Sequence, residues 1–330
     1  MSDYIFPSCQ ENVIRALKDA SKVIIIGHKK PDGDCYNSQL AMGNLMKEIG
    51  CKEVILANDG PFEREETKLV EDLFEKKLNN EMLSDNPLII LVDCGELSRI
   101  GSFEDQVKGF KTVVIDHHPT SLNQGWELSY IFAKSVSTTL LIKKLYEQLN
   151  VEISLITANQ LFFGFATDTG FFKFISPHNG TAIKEAADLV EIGVNPSATM
   201  ALMNGGKPFE YLQNTAKLID RTSFKCDGAI AFSYFLLSDD GECPSDSYYA
   251  QILNTNDVKV VCVFKETEYG LVIGLRSNFN SDFNVSEFAQ IYGGGGHIKA
   301  SGASVDGNYE ELVKTVTDEL ERSYKDLLTK

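Results

Sequence analysis

Basic residues are scarce in this chain: Lys and Arg number 31 against 47 Asp and Glu, a formal net charge of −16. That balance excludes long duplex nucleic acid as a ligand, because backbone binding needs a basic surface. Small phosphorylated ligands stay open, since divalent cations can supply positive charge locally. Long apolar runs are missing too. The longest, such as 88–92, are strand-sized, and the first seven residues hold no apolar core of signal-peptide length. Membrane partners are therefore not expected, and the expected location is cytoplasmic. The seven cysteines are scattered and form no CxxC pair. An odd, dispersed set fits reduced thiols rather than a disulfide framework. Internal repeats and low-complexity tracts are also lacking.

What is present suits a two-domain globular protein, with 330 residues of which 43% are hydrophobic. The first half alternates strand and helix signals. Runs at 23–27, 54–57, 88–92 and 112–115 read as strands. Stretches 36–49, 135–149, 158–165 and 181–192 read as helices, the second capped by a serine. Such alternation implies a mostly parallel sheet flanked by helices. Residues 195–222 contain Gly205, Gly206 and Pro208 and read as a linker with a helical stretch. Beyond it, strands at 229–236, 259–266 and 270–276 and helices at 285–291 and 310–328 describe a smaller α/β domain. The expected division is 1–194, linker 195–222, and 223–330.

Ligand-type residues gather where three of the early strands end. Run 23–27 leads into His28 and then Asp32 and Asp34; run 88–92 leads into Asp93; run 112–115 leads into Asp116, His117 and His118. In open parallel sheets, ligands bind just outside the carboxyl ends of the strands. Three neighbouring strands would thus deliver carboxylates and imidazoles to one rim. Asp168, after the 158–165 helix, is a further candidate. Of only five histidines in the chain, three fall in these clusters. The HxxxDxD spacing places two carboxylates on one turn, where they can ligate different ions while the histidine shares the first. Mixed imidazole and carboxylate donors suit manganese, iron, cobalt or zinc, and the carboxylate excess tolerates magnesium. Two such ions can bridge a water and clamp a phosphoryl oxygen, with Asp93 best placed between them.

The second half carries the run Gly293–Gly296, then His297 and Ala300-Ser301-Gly302. Consecutive glycines expose backbone N–H groups and let a ligand come close. Arg276 and Ser277 end the preceding strand, within reach of a phosphate or carboxylate.

Taken together, His28-Lys29-Lys30-Pro31-Asp32-Gly33-Asp34, Asp93, Asp116-His117-His118 and Asp168 resemble the four motifs of the DHH phosphoesterases. The Gly-rich segment ending in His297 resembles the signature of the DHH-associated C-terminal domain. The resemblance covers essentially the whole chain. It implies a cleft between the two domains as the active site. It implies a first metal held by His28, Asp32 and Asp93. A second would be held by Asp34, Asp93, His117 and Asp168, with manganese the usual ion and magnesium or cobalt alternatives. His118 would contact the scissile phosphate and Asp116 would orient the site. Arg99, Arg276, Ser277, Gly294, Gly295, Gly296 and His297 would bind substrate. The implied substrates are RNA fragments of two to five nucleotides or 3′-phosphoadenosine 5′-phosphate, with cyclic-di-AMP or a linear dinucleotide as the alternative. Inorganic pyrophosphatases share only the first motifs, and a regulator with a silent site would not need every ligand position intact. The subgroup often forms dimers, which leaves a homodimer open. The chain departs from the family at Cys35-Tyr36-Asn37, where small residues are usual. Those side chains are expected to reshape the wall of the site.

Overall fold

The computed structural model describes residues 5–329; the first four residues of the polar opening segment lie outside the described residues. The chain forms two compact units that divide between Gly206 and Lys207. That boundary falls inside the stretch expected as a linker.

In the first unit the elements run α1 (Glu11–Asp19), β1 (Lys22–Ile26), α2 (Gly33–Glu48), β2 (Glu53–Ala57), the short α3 (Glu65–Lys68) and β3 (Leu88–Val92). They continue through α4 (Glu104–Val107), β4 (Thr112–Asp116), β5 (Leu128–Ile131), α5 (Thr138–Leu149), α6 (Leu155–Asp168), α7 (Thr181–Ile192) and α8 (Pro196–Asn204). The strands form one sheet in the order β2-β1-β3-β4-β5, every neighbouring pair parallel. β1 and β3 are buried at every position, which is why they read as continuous apolar runs rather than alternating ones. Val23 and Ile25 face a core shared with α1, α2, α5 and α6. Ile24 and Ile26 face the opposite core, closed by Ile100, Phe103 and Val107. With both faces covered, only the strand ends are left for polar chemistry.

The second unit runs α9 (Phe209–Asp220), β6 (Ser223–Lys225), β7 (Ile230–Phe235), α10 (Ser245–Ile252), β8 (Val260–Glu266), β9 (Gly270–Ser277), α11 (Val285–Gln290), β10 (Gly295–His297), β11 (Ala300–Asp306) and α12 (Tyr309–Leu328). Its mixed sheet has the order β10-β11-β9-β8-β7-β6, with β7 and β8 the parallel pair. One face packs on α11 and α12 through Ile273, Leu275, Phe288 and Leu320. The other packs on α9 and α10 through Val261, Leu218 and Tyr248.

Three sequence expectations change here. Residues 195–222 are mostly helical, in α8 and α9, because Asn195 caps the first through its side chain and Pro208 sets the start of the second. The glycine segment is not wholly a loop: Gly295–His297 pairs with β11 as the sheet's edge strand. Glycine runs carry no strand signal, so only the pairing partner reveals it. Asp168 closes α6 rather than following it. Among the described residues no helix is long and apolar enough to cross a membrane.

Candidate metal centre

β1, β3 and β4 lie side by side in the sheet, so their carboxyl ends bring His28, Asp93, Asp116, His117 and His118 to one rim. Asp34 and Asp168 arrive from outside the sheet, one in the first turn of α2 and one at the end of α6. Asp93 is the common neighbour. Its Oδ2 lies 3.4 Å from His28 Nε2, and its Oδ1 lies 3.6 Å from His117 Nε2 and 3.7 Å from His118 Nδ1. His117 Nε2 is also 3.2 Å from Asp168 Oδ2, and His28 Nε2 is 3.9 Å from Asp32 Oδ1.

The imidazoles are aimed by backbone. His28 Nδ1 lies 2.9 Å from the Lys29 carbonyl, and His117 Nδ1 lies 3.1 Å from the Ser135 carbonyl. A carbonyl oxygen only accepts, so each Nδ1 carries a proton and each Nε2 faces Asp93. His118 is held differently. Its Nδ1 donates to Asp116 Oδ1 at 2.7 Å, and Asp116 also accepts from the His118 backbone N–H and the Ser121 hydroxyl. Asp116 is fully buried and occupied by these donors.

The carboxylates have their own supports. Asp34, 0% exposed, accepts from the Thr138 N–H at 2.6 Å, the Thr139 N–H at 3.0 Å and the Thr139 hydroxyl at 2.8 Å. It therefore sits at the N-terminus of α5, whose first N–H groups lack partners within the helix and whose dipole favours an anion. Ser137 caps the same turn through its hydroxyl. Thr138 does a second job, its hydroxyl donating to Asp93 Oδ1 at 2.9 Å. Asp93 adopts φ +59, a left-handed conformation of the kind concentrated at functional sites. Gly164 of α6 makes the crowding possible: a Cβ there would stand 2.4 Å from Thr139 Cγ2 and 2.7 Å from Asp34 Oδ1.

So many buried charges distort one another. Burial, together with Asp93 and Asp168, pushes the Asp34 carboxyl well above the usual range. Burial likewise raises Asp168 to about 6 in spite of His117. For Asp93 burial acts upward as well, but His28 and His117 hold the carboxyl well below its ordinary value. Burial alone would lower His28, yet Cys35 and Asp93 raise it to about 12. Buried carboxylates this close need positive charge among them. A divalent cation would meet that need by displacing the imidazole protons and taking the nitrogen and carboxylate lone pairs, so the donor set fits one. The donor atoms of Asp93 with His117 and His118, and of Asp34 with His117 and Asp168, all lie within 4.8 Å in each group.

The segment expected to reshape the wall of the site divides. Tyr36 does not line the site. It is buried with Phe62, Phe74 and Phe163, and the Asn37 amide donates to the Gly33 carbonyl at 2.9 Å. Tyr36 and Asn37 are thus absorbed by packing, because successive residues of a helix point in different directions, whereas Cys35 stays at the centre, its Sγ within 4.8 Å of donor atoms of His28 and Asp93. Trp126 donates to the Gly95 carbonyl at 2.7 Å. Arg99 stands on the turn Leu97–Phe103 and its carbonyl accepts from the Lys29 N–H at 2.8 Å. Sequence reasoning missed Thr138, Thr139 and Ser135. Their one sequence signal was the polar Ser135–Thr139 opening of a helix, which reads as a cap.

In the second unit, Arg276, Ala300 and His297 pair in one row across β9, β11 and β10. Paired residues share a face, so the guanidinium and imidazole project to the same side with only Ala300 between. Arg276 lies over the Tyr249 ring at 4.8 Å and its Nη2 is 3.3 Å from Asp246 Oδ1. Ser277 is buried, its hydroxyl donating to the Ile298 carbonyl at 3.4 Å. Gly294 permits close strand contact, since a Cβ there would meet the Gly302 carbonyl oxygen at 2.1 Å. Gly295, Gly296 and His297 are exposed.

Comparison with known proteins fits this division. The family model described as DHH family, N-terminal domain, matches residues 22–165, and that of the DHHA1 domain matches 244–322. The bifunctional oligoribonuclease and PAP phosphatase NrnA of Thermus thermophilus is 26% identical over 306 residues, 91% of each chain. A manganese-dependent inorganic pyrophosphatase of Methanothrix thermoacetophila is 30% identical over 157 residues, only 47% of this chain and 49% of that one. The crystal structure of an exopolyphosphatase-related protein from Bacteroides fragilis covers 99% of this chain and all of its own at a TM-score of 0.86, with 22% identity.

Proposed function

Because the chain belongs to the DHH family and carries a DHHA1 domain, we propose that it is a phosphoesterase that hydrolyses short nucleotide substrates with two divalent ions, manganese by preference. The observation that carries this reading is the convergence of His28, His117 and His118 on the single carboxylate of Asp93. His28, Asp32 and Asp93 would hold one ion, and Asp34, Asp93, His117 and Asp168 the other. Bound there, such ions would supply Lewis-acid activation of a water and neutralise charge on a phosphoryl group.

The chain's own residues do the rest. Thr138 and Thr139 hold Asp34 and Asp93 in place by donating to them. Asp116 accepts from His118 Nδ1, which leaves His118 Nε2 as the group that contacts the scissile phosphate or returns a proton to the leaving oxygen. Arg99 would contact the substrate from the same unit. Arg276, Ser277, Gly294, Gly295, Gly296 and His297 would hold the nucleotide end from the second unit. The acidity of the chain favours substrates with few phosphates. Similarity along 91% of the chain to an oligoribonuclease and PAP phosphatase supports the same substrates here, whereas the pyrophosphatase likeness spans 47%.

The test is release of mononucleotide or phosphate, with manganese, from dinucleotide RNA, 3′-phosphoadenosine 5′-phosphate, cyclic di-AMP and pyrophosphate. Turnover of the first two is expected. Cleavage of cyclic di-AMP alone would move the protein to cyclic-dinucleotide hydrolysis, and release from none would overturn the reading.

A further inference from the structure

A cavity of about 550 Å³ opens beside Asp168 and is lined within the first unit by Phe132, Lys134, Phe174, His178 and Asn179. It adjoins the metal centre directly: its wall includes Asp168, 3.2 Å from His117 Nε2, and Ser135, whose carbonyl aims the same histidine. The volume lies in the range of small-molecule sites and accommodates one nucleotide.

Its lining is unlike the rest of the protein. In a chain with 47 acidic residues against 31 basic ones, Asp168 is the one acid among the described residues that line it. The others bring a lysine, a histidine, an amide and two aromatic rings. Phosphate and a nucleobase want that combination, a cation for the charge and an aromatic face for the ring.

The loop that supplies Phe174 is built to present it. Gly170, Phe171 and Phe172 all have positive φ, at 54, 53 and 74. Two consecutive phenylalanines in that conformation are strained. The strain is held by packing, as Phe172 meets Phe165 at 5.3 Å and Phe171 meets Phe162 at 6.3 Å between ring centres. The Phe174 N–H closes the turn on the Thr169 carbonyl at 3.0 Å. With two neighbours anchored in the core, Phe174 is nevertheless left 64% exposed. Lys173 Nζ lies over that ring at 5.6 Å, and a bound base would cover what the lysine leaves open. His178 lines the same cavity.

We propose that this cavity is a nucleotide subsite of the catalytic unit, with Phe174 stacking the base that adjoins the scissile phosphate and Lys134 and His178 meeting its sugar–phosphate. The inference rests on the phosphoesterase reading for its place in catalysis. Phe174→Ala, Lys134→Ala and the double variant are compared with the unmodified full chain in manganese, on a dinucleotide RNA and on bis(p-nitrophenyl) phosphate, a diester without nucleosides. Phe174→Ala is expected to lower the ratio of kcat/KM for dinucleotide to kcat/KM for the nucleoside-free diester by about tenfold, chiefly through KM, as loss of one base stack does. Lys134→Ala should lower it further in the double variant. A ratio that does not move overturns the subsite, whether or not absolute rates fall. If the unmodified chain cleaves neither ester, the phosphoesterase reading fails separately. The subsite is then decided by equilibrium dialysis of 5′-AMP. Retention that weakens about tenfold in Phe174→Ala supports it, and no retention, or equal retention, overturns it.

Discussion

In the first unit the functional candidates are taken out of water: Asp34 and Asp93 are 0% and 2% exposed, and threonines at the start of α5 hold both. In the second unit Gly295, Gly296 and His297 stand on an edge strand open to solvent. The difference follows from what each region is asked to do. Buried charge must have a partner for each lone pair, so its geometry depends on segments far apart in the chain. An exposed edge needs only small residues and free backbone groups, and a short stretch of sequence can supply those. Damage should therefore be severe and shared in the first region, and mild and confined to binding in the second.

Asp93→Asn is the strongest test of that contrast. Asparagine tolerates the left-handed backbone there, so the fold should persist while turnover falls by at least about 10³-fold, the range for loss of a catalytic group. Retained turnover would remove Asp93 from the centre. Gly164→Ala comes next. Its Cβ would press on Thr139 and the Asp34 carboxylate, so about 1–3 kcal/mol of stability should be lost to overpacking. A denaturant midpoint and an activity assay should fall together. Thr138→Val keeps the backbone donor and deletes the hydroxyl that holds Asp93. Metal affinity should weaken about 10–100-fold, read by manganese titration, as when outer-shell partners are removed. In the second unit, His297→Ala should raise KM for nucleotides several-fold with kcat little changed; a collapse of kcat instead would erase the contrast.

The smallest effect is one of pH. The Asp168 carboxyl is raised to about 6 by burial, with His117 opposing. A raised carboxyl contributes stability that is present below its unfolded value near 4 and is lost as pH rises through about 6. In a chelator, the unmodified chain should therefore lose stability relative to Asp168→Asn between pH 4 and 7, measured by thermal melts. Manganese should reverse the difference.

The strand runs at 23–27, 88–92 and 112–115 were legible because strands buried on both faces must be continuously apolar. The clustered histidines and aspartates at their ends were legible because polar residues have nowhere else to go in such a sheet. Helix 181–192 could be read to its last residue because Gly193 stops it. Other features were not. β10 opens with two glycines that have no strand preference, and it exists only because β11 pairs with it. The threonines that hold Asp34 lie 104 and 105 residues away from it, beyond any local pattern.

The sequence by itself determined the kinds of ligand this chain can offer, the strand ends that carry them and the family it resembles, since those rest on residue type and local spacing. Tertiary structure alone decided that β1, β3 and β4 are neighbours and that α5 lends its N-terminus to Asp34. It also decided that Tyr36 turns into the core while Phe174 turns out beside Asp168. Such outcomes depend on which side chains meet across the fold, and close packing settles that only when the whole unit is assembled.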